Sequence, residues 1–149
     1  MNNTIYIRVY GLFFNDNNEV LISDEYQLDM AMTKFPGGGL EYGEGPADCL
    51  KREIIEEMND QEIEIQSHFY TTDYFQQGIF HKNSQVVCIY YLARFINPLK
   101  FKVSCKAFDF PEMKNGAQSF RYVNIEKLNE LLSFPTDKVV AAMLEKKLN

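Results

Sequence analysis

The chain has 149 residues, 46% of them hydrophobic, with 12 Phe, 9 Tyr, no Trp and a formal charge of −6 at pH 7. That length reads as one domain, residues 1–149, with apolar mass enough for a core. The acidic balance argues against a binder of duplex DNA or RNA, which needs a basic surface, and no apolar run reaches the roughly 18 residues of a membrane-spanning helix.

In chain order, Thr4–Phe14 is rich in β-branched and aromatic residues and predicts a first strand. Its apolar stretch contains Arg8 and lacks a basic n-region, so it reads as a strand and not a signal peptide. Asn15–Asn18 predicts a turn, and Glu19–Ser23 the second strand of a hairpin. Asp24–Met32 is polar enough to predict a loop, after which Thr33–Phe35 leads into a glycine-rich segment, Gly37–Gly39. Lys34, just before the glycines, is a candidate site residue; as a lone lysine it reads equally well as an exposed surface residue.

A helix of about three to four turns is expected after the glycines. Pro46 suits its first turn, Asp48 complements its dipole, and Asn59 can take the left-handed conformation that closes it. On a wheel, Ala47, Leu50, Ile54 and Met58 share an apolar face. Glu53, Glu56 and Glu57 fall within an adjoining arc of roughly 100°. Like charges at these spacings repel, and for an arbitrary helix such an arc reads first as a solvated acidic face. Arg52 can relieve the repulsion by pairing with Glu56, and a divalent cation would relieve it further; oxygen donors at this density suit magnesium or manganese over zinc.

Beyond the helix, Glu62–Tyr74 predicts a long strand containing His68, a structural histidine on this reading. Gln76–Ser84 predicts a loop, and Gln85–Phe95 a central strand buried on both faces, with Cys88 as a core residue. Asn97–Asn115 is the least regular stretch, with a short strand candidate at Lys100–Ser104. Gln118–Val123 predicts a further strand. Asn124 can cap a helix with Ile125, Leu128, Leu131 and Leu132 inward. Thr136 is the expected cap of a last helix with Val139, Val140, Met143 and Leu144 inward and Lys146 and Lys147 at its end. Cys49, Cys88 and Cys105 are odd in number and lack C-x-x-C spacing, so they read as free thiols of a reducing, cytoplasmic compartment. Carboxylates near Cys49 should raise its pKa and blunt its reactivity.

Residues 38–60 resemble the Nudix box, written G-x5-E-x7-R-E-U-x-E-E-x-G-U with U a bulky aliphatic residue. Gly38 takes the first glycine, Glu44 the next acid, then Arg52, Glu53, Ile54, Glu56 and Glu57 follow at the required spacing. Asn59 and Asp60 depart from the closing glycine and aliphatic pair. Asn is a good left-handed substitute. Asp60 is less readily explained: Ile63 can supply the apolar anchor, and Asp60→Ile is expected to be tolerated or stabilising.

The resemblance implies an α+β fold, an α/β/α sandwich with a mixed sheet between helices. It implies metal-dependent hydrolysis of a nucleoside diphosphate linked to another group: a nucleoside triphosphate, nucleotide sugar or ADP-ribose class substrate. By that resemblance Glu53, Glu56 and Glu57 would ligate Mg2+ or Mn2+ together with a Gly38 carbonyl, and Glu57 would be the most indispensable. Arg52 would orient the acids and Glu44 would support them. Glu53 is the favoured general base, with Asp109 and Glu112 as later-loop candidates. Tyr6, Tyr74 and Phe80 are candidate platforms for a base, and Lys34 a candidate for substrate binding. A homodimer is in keeping with the family. The competing reading is a non-catalytic nucleotide sensor on the same fold, which usually lacks box acids. A diphosphate isomerase would want a well-placed cysteine.

Overall fold

The computed structural model describes residues 2–148. The chain divides into two compact units, one formed by residues 1–12 and 37–100, the other by 13–36 and 101–149.

The first unit is built on a four-stranded mixed sheet of order β4-β1-β6-β5. Strand β1 (Thr4–Leu12) runs parallel to β6 (Ser84–Phe95) and antiparallel to β4 (Gly37–Gly39), while β5 (Ile63–Thr71) is antiparallel to β6. The apolar run of 85–95 thus takes the central position expected of it, though only Ser84, Cys88, Tyr90 and Ala93 are fully buried, the other positions being mostly half-buried. Helix α1 (Pro46–Glu57) follows the glycines with Pro46 in its first turn. Leu50, Ile54 and Met58 are each fully buried, as the wheel requires, and Cys49 joins them.

The exit of α1 is where the box sequence departs, and its geometry is well defined. Asn59 has φ 55° and Asp60 φ 62°, and the Asp60 N–H donates to the Ile55 carbonyl at 3.0 Å. That is the six-to-one bond of a Schellman closure with Asn59 in the left-handed position. Gln61 is fully buried and acts as a polar rivet: its Nε2 donates to the Ile96 carbonyl at 2.8 Å and its Oε1 accepts from the Lys100 N–H at 2.7 Å. Ile63, 6% exposed, is the apolar anchor that opens β5.

The second unit carries a three-stranded antiparallel sheet of order β3-β2-β7. Residues 24–32 are not a loop, as their polarity suggested. Strand β2 (Glu19–Gln27) runs on, turns at Leu28 and Asp29, both with positive φ, and returns as β3 (Met30–Lys34). The buried carboxylates Asp24 and Glu25 are tolerated there because both are bonded. Asp24, fully buried, accepts from Arg121 Nε at 2.7 Å, Thr33 Oγ1 at 2.7 Å and the Phe108 N–H at 3.2 Å. Glu25 accepts from Ser23 Oγ at 2.8 Å and Gln118 Nε2 at 3.1 Å, and pairs with Lys34 at 3.1 Å.

Strand β7 (Gln118–Asn124) pairs with β2. The stretch 100–104 is not a strand; it makes a single bridge, Val103 to Phe120. Asn124 caps a one-turn 3-10 helix (Ile125–Lys127) by accepting from the Glu126 N–H, and α2 (Leu128–Leu131) continues from it. Helix α3 (Pro135–Leu148) starts one residue before the expected cap, so Thr136 lies buried inside its first turn. Proline suits that opening position because its missing N–H is not needed there. Val140, Ala141 and Leu144 are buried, while Val139 and Met143 are half-buried. The mixed sheet, the antiparallel sheet and the three helices make an α+β fold of the kind the resemblance implies.

The φ of Asp60 reverses the expectation for that position. A β-branched residue is disfavoured in the left-handed region by steric conflict of its Cβ substituents. Asp60→Ile is therefore expected to destabilise the fold by about 1 kcal/mol, and Asp60→Gly to leave stability unchanged or raised; thermal denaturation of both variants checks it.

Candidate active site

Strand β4 is the glycine segment itself. Its pairing with β1, Gly38 opposite Val9 and Gly39 opposite Arg8, holds the loop as rigid backbone. A methyl group added at Gly38 would overlap the Glu53 carboxylate, so glycine is required for Glu53 to seat against β4.

Arg52 organises the acids. Its Nε and Nη2 form a fork on Glu44, at 2.9 and 2.8 Å, while Nη1 reaches Glu53 at 3.1 Å and Glu56 at 3.2 Å. Nη2 also donates to the Gly39 carbonyl at 3.0 Å. One guanidinium thus ties the glycine strand, the loop acid and the helix acids together. The ease of repulsion foreseen between Arg52 and Glu56 is present, and the larger contact is with Glu44. Bidentate charged hydrogen bonds of this sort are the strong ones. They hold the Glu44 carboxyl down at about 2, helped by the Glu41 N–H that donates to it, and they raise the Arg52 pKa further above its ordinary value.

Glu53 and Glu57 are half-buried and Glu56 is exposed. One Glu57 oxygen, Oε2, is buried. Cys49 packs behind this group, its thiol facing the Gly39 carbonyl at 3.5 Å. Its pKa is pushed up to about 12, first by burial and then by its hydrogen bond with Glu44; the carboxylate effect foreseen from sequence is present but second.

Of the site residues that the sequence singled out elsewhere, Lys34, Asp109 and Glu112 belong to the second unit, and Tyr6, Tyr74 and Phe80 to the first. Lys34 is 4% exposed, so the surface-lysine reading is wrong; it is in β3 of the second unit, held by Glu25. Asp109 and Glu112 belong to that unit too, and pair with Lys102 and Lys114 at 3.2 and 3.4 Å. Tyr6, Tyr74 and Phe80 are all partly exposed, at 41%, 40% and 42%. Two residues of the cluster were missed. Glu41 lies 3.7 Å from Arg52 Nη1, and its signal was another acid in the loop that already held Glu44. Gly39 takes part through its carbonyl, the neighbour of the Gly38 carbonyl that the resemblance implied.

The donors here are carboxylate and carbonyl oxygens on one helix and one strand, which fits a hard divalent cation such as magnesium or manganese. The seat left at Gly38 for the Glu53 carboxylate is consistent with that fit. Among the described residues, no group of three or more His, Cys, Asp or Glu side chains is placed so that it could hold a metal ion. Arg52 supplies the positive charge between Glu53 and Glu56.

The NUDIX domain model matches residues 6–143, which run through both units. An RNA pyrophosphohydrolase of Helicobacter pylori (strain G27) is 39% identical over 51 residues, covering 34% of this chain and 32% of that protein. The match therefore spans about a third of that relative's length. An RNA pyrophosphohydrolase of Sulfurovum sp. (strain NBC37-1) is 26% identical over 117 residues, covering 75% of this chain and 71% of the other. A solved NUDIX hydrolase from Nitrosomonas europaea superposes with a TM-score of 0.70 over 97% of this chain and 90% of its own, at 13% identity.

Two outcomes follow from the charges. Glu44 has a lower pKa folded than unfolded, so its stabilising contribution is present above its ordinary pKa of 4.5 and is lost as pH falls toward about 2. An NMR titration should place Glu44 near the low value in the wild type and move it up in Arg52→Gln. Cys49 and Cys88 are buried and Cys105 exposed, so a thiol reagent at pH 8 should modify Cys105 rapidly and Cys49 only on unfolding.

Proposed function

The chain belongs to the Nudix family, and on that footing we propose that it is a metal-dependent hydrolase of a nucleoside diphosphate linked to a second group. Water would attack one phosphorus of the P–O–P bridge, the bridging P–O bond would break, and two phosphorylated products would leave. The observation that carries this reading is the Arg52 cluster, in which one guanidinium holds Glu44, Glu53 and Glu56 against the Gly38–Gly39 strand.

Glu53, Glu56 and Glu57, with the Gly38 carbonyl, would hold Mg2+ or Mn2+. A divalent cation there would supply neutralisation of the anionic substrate and a lowered pKa for the attacking water. Glu53 takes the proton from that water as general base, its carboxylate fixed by Arg52 and by the seat at Gly38. Arg52 is a positioning residue whose donors are already engaged by carboxylates and the Gly39 carbonyl. The rigidity of helix and strand keeps these oxygens in place before substrate arrives.

The substrate class is a nucleotide bearing a phosphate anhydride: a nucleoside triphosphate, nucleotide sugar or ADP-ribose. The name of the Helicobacter and Sulfurovum relatives, RNA pyrophosphohydrolase, adds RNA carrying a pyrophosphate bond to that class. The reading takes residues 1–149 as one domain, a reading supported by the family match over 6–143. Retention of Glu44, Glu53, Glu56 and Glu57 favours turnover over a sensor that binds without cleaving.

The test is phosphate release from that panel with magnesium or manganese and a coupled phosphatase. Wild type should turn over one class only when metal is present, and Glu57→Gln should lose turnover by about a thousandfold or more, with its circular dichroism and Tm retained. Near wild-type rates in Glu57→Gln would remove the assignment. Silence of the wild type across the panel, with ligand-induced thermal shifts, would establish the sensor.

A further inference from the structure

The chain has four arginines, and three of them are matched to carboxylates: Arg52 to Glu44, Arg94 to Glu64 and Arg121 to Asp24. Arg8 differs. It is half-buried in the middle of β1, in register with Gly39 of β4 on one side and Cys88 of β6 on the other. Its Nε donates to the Tyr10 hydroxyl at 2.7 Å, and its Cζ lies 5.6 Å from the centre of the Tyr10 ring. Among the described residues it makes no ion pair. A tyrosine hydroxyl does not neutralise a guanidinium, and one hydrogen bond leaves most of its five N–H donors unused. Removing such a cation from water is unfavourable unless an anion meets it.

The surroundings of Arg8 have room for one. It lines a cleft of about 200 Å³ together with Tyr6, Gly39, Leu40, Glu41 and Tyr42. Because Gly39 has no side chain, the space beside the guanidinium is open; a Cβ there would lie 3.7 Å from Arg8 Nη1. The carboxylate at the rim, Glu41, is directed to Arg52 at 3.7 Å and does not pair with Arg8. Tyr6 is held by stacking on His81, with ring centroids 5.3 Å apart. Gly39 is shared by both places: its carbonyl bonds Arg52, and its empty side-chain position faces Arg8.

We propose that Arg8 docks a phosphate of the substrate other than the one attacked, in the cleft beside Gly39. The inference rests on the reading of the chain as a hydrolase of phosphate anhydrides. The unused donors of a guanidinium form a planar fork that matches two phosphate oxygens, which a lysine cannot reproduce. Arg8 binds and does not react, so its loss falls on KM and leaves kcat alone.

The experiment titrates inorganic tripolyphosphate into the whole chain by calorimetry, without divalent metal. Wild type should bind, Arg8→Gln should bind about tenfold more weakly or worse, and Arg8→Lys should fall between. Arg94→Gln, at an exposed pair, is the control and should bind as wild type does. Equal binding by wild type and Arg8→Gln, or no binding by wild type, overturns the proposal. Should Arg8→Gln fail to fold, Arg8→Lys decides: weaker binding than wild type supports it and equal binding overturns it. With a hydrolysed substrate, Arg8→Gln should raise KM by a similar factor with kcat within about twofold, whereas a fall in kcat at unchanged KM overturns the docking role. The titration needs no turnover, so failure of the hydrolase reading and failure of the Arg8 assignment are separable.

Discussion

The guanidinium of Arg52 is the contact on which the acidic cluster depends. Glu44 precedes the helix, Glu53 and Glu56 lie on it, and the Gly39 carbonyl belongs to the neighbouring strand, yet all four meet this one side chain. Carboxylates at such spacing repel, and the repulsion grows where they are partly desolvated. A single delocalised cation with donors on several edges offsets that repulsion and fixes the direction of each oxygen. The position of Arg52 depends in turn on the apolar face of α1. Burial of Leu50, Ile54 and Met58 sets the rotation of the helix and so points residues 52, 53, 56 and 57 away from the core.

Backbone geometry completes the site. The glycines are a paired strand, and hydrogen bonds to β1 hold the carbonyls of Gly38 and Gly39 in register with the helix acids. At Gly38 the absence of a side chain is what admits the Glu53 carboxylate. A side chain at Gly37 would in turn meet the Val9 carbonyl and Tyr10, so close backbone approach recurs along this strand. Catalysis of phosphoryl transfer rests mainly on positioning and charge, and a carboxylate fixed on two rigid elements meets both demands better than one on a free loop.

The second unit solves a different problem with the same means. Asp24, Glu25 and Lys34 are buried in a sheet, an arrangement that is costly unless every charge is answered. Arg121, Thr33 and the Phe108 amide answer Asp24; Lys34, Ser23 and Gln118 answer Glu25. The Asp24 bonds tie the irregular 101–117 segment to the sheet through the Phe108 amide. A slipped pairing would leave these charges unmatched, so the network opposes a shift of register.

The sequence by itself determined the elements whose signals are local. Helix α1 with its proline start, left-handed Asn59 exit and inward Leu50, Ile54 and Met58 was legible from period and capping, and the shared arc of the acids at 53, 56 and 57 from spacing, while their reading as a site came from the resemblance. The central strand at 85–95 was legible from its apolar run. Only the tertiary structure decided that residues 24–34 pair as strands, because the partners that make their charges tolerable lie far away in the chain, Arg121 being 97 residues from Asp24. It also decided that Lys34 is buried, that Asp60 must be left-handed, that Gln61 rivets 96 to 100, and that Arg8 lines a cleft whose one carboxylate, Glu41, is directed to Arg52. Period and propensity report how a residue relates to its chain neighbours. Whether a polar group is answered depends on what the fold brings beside it.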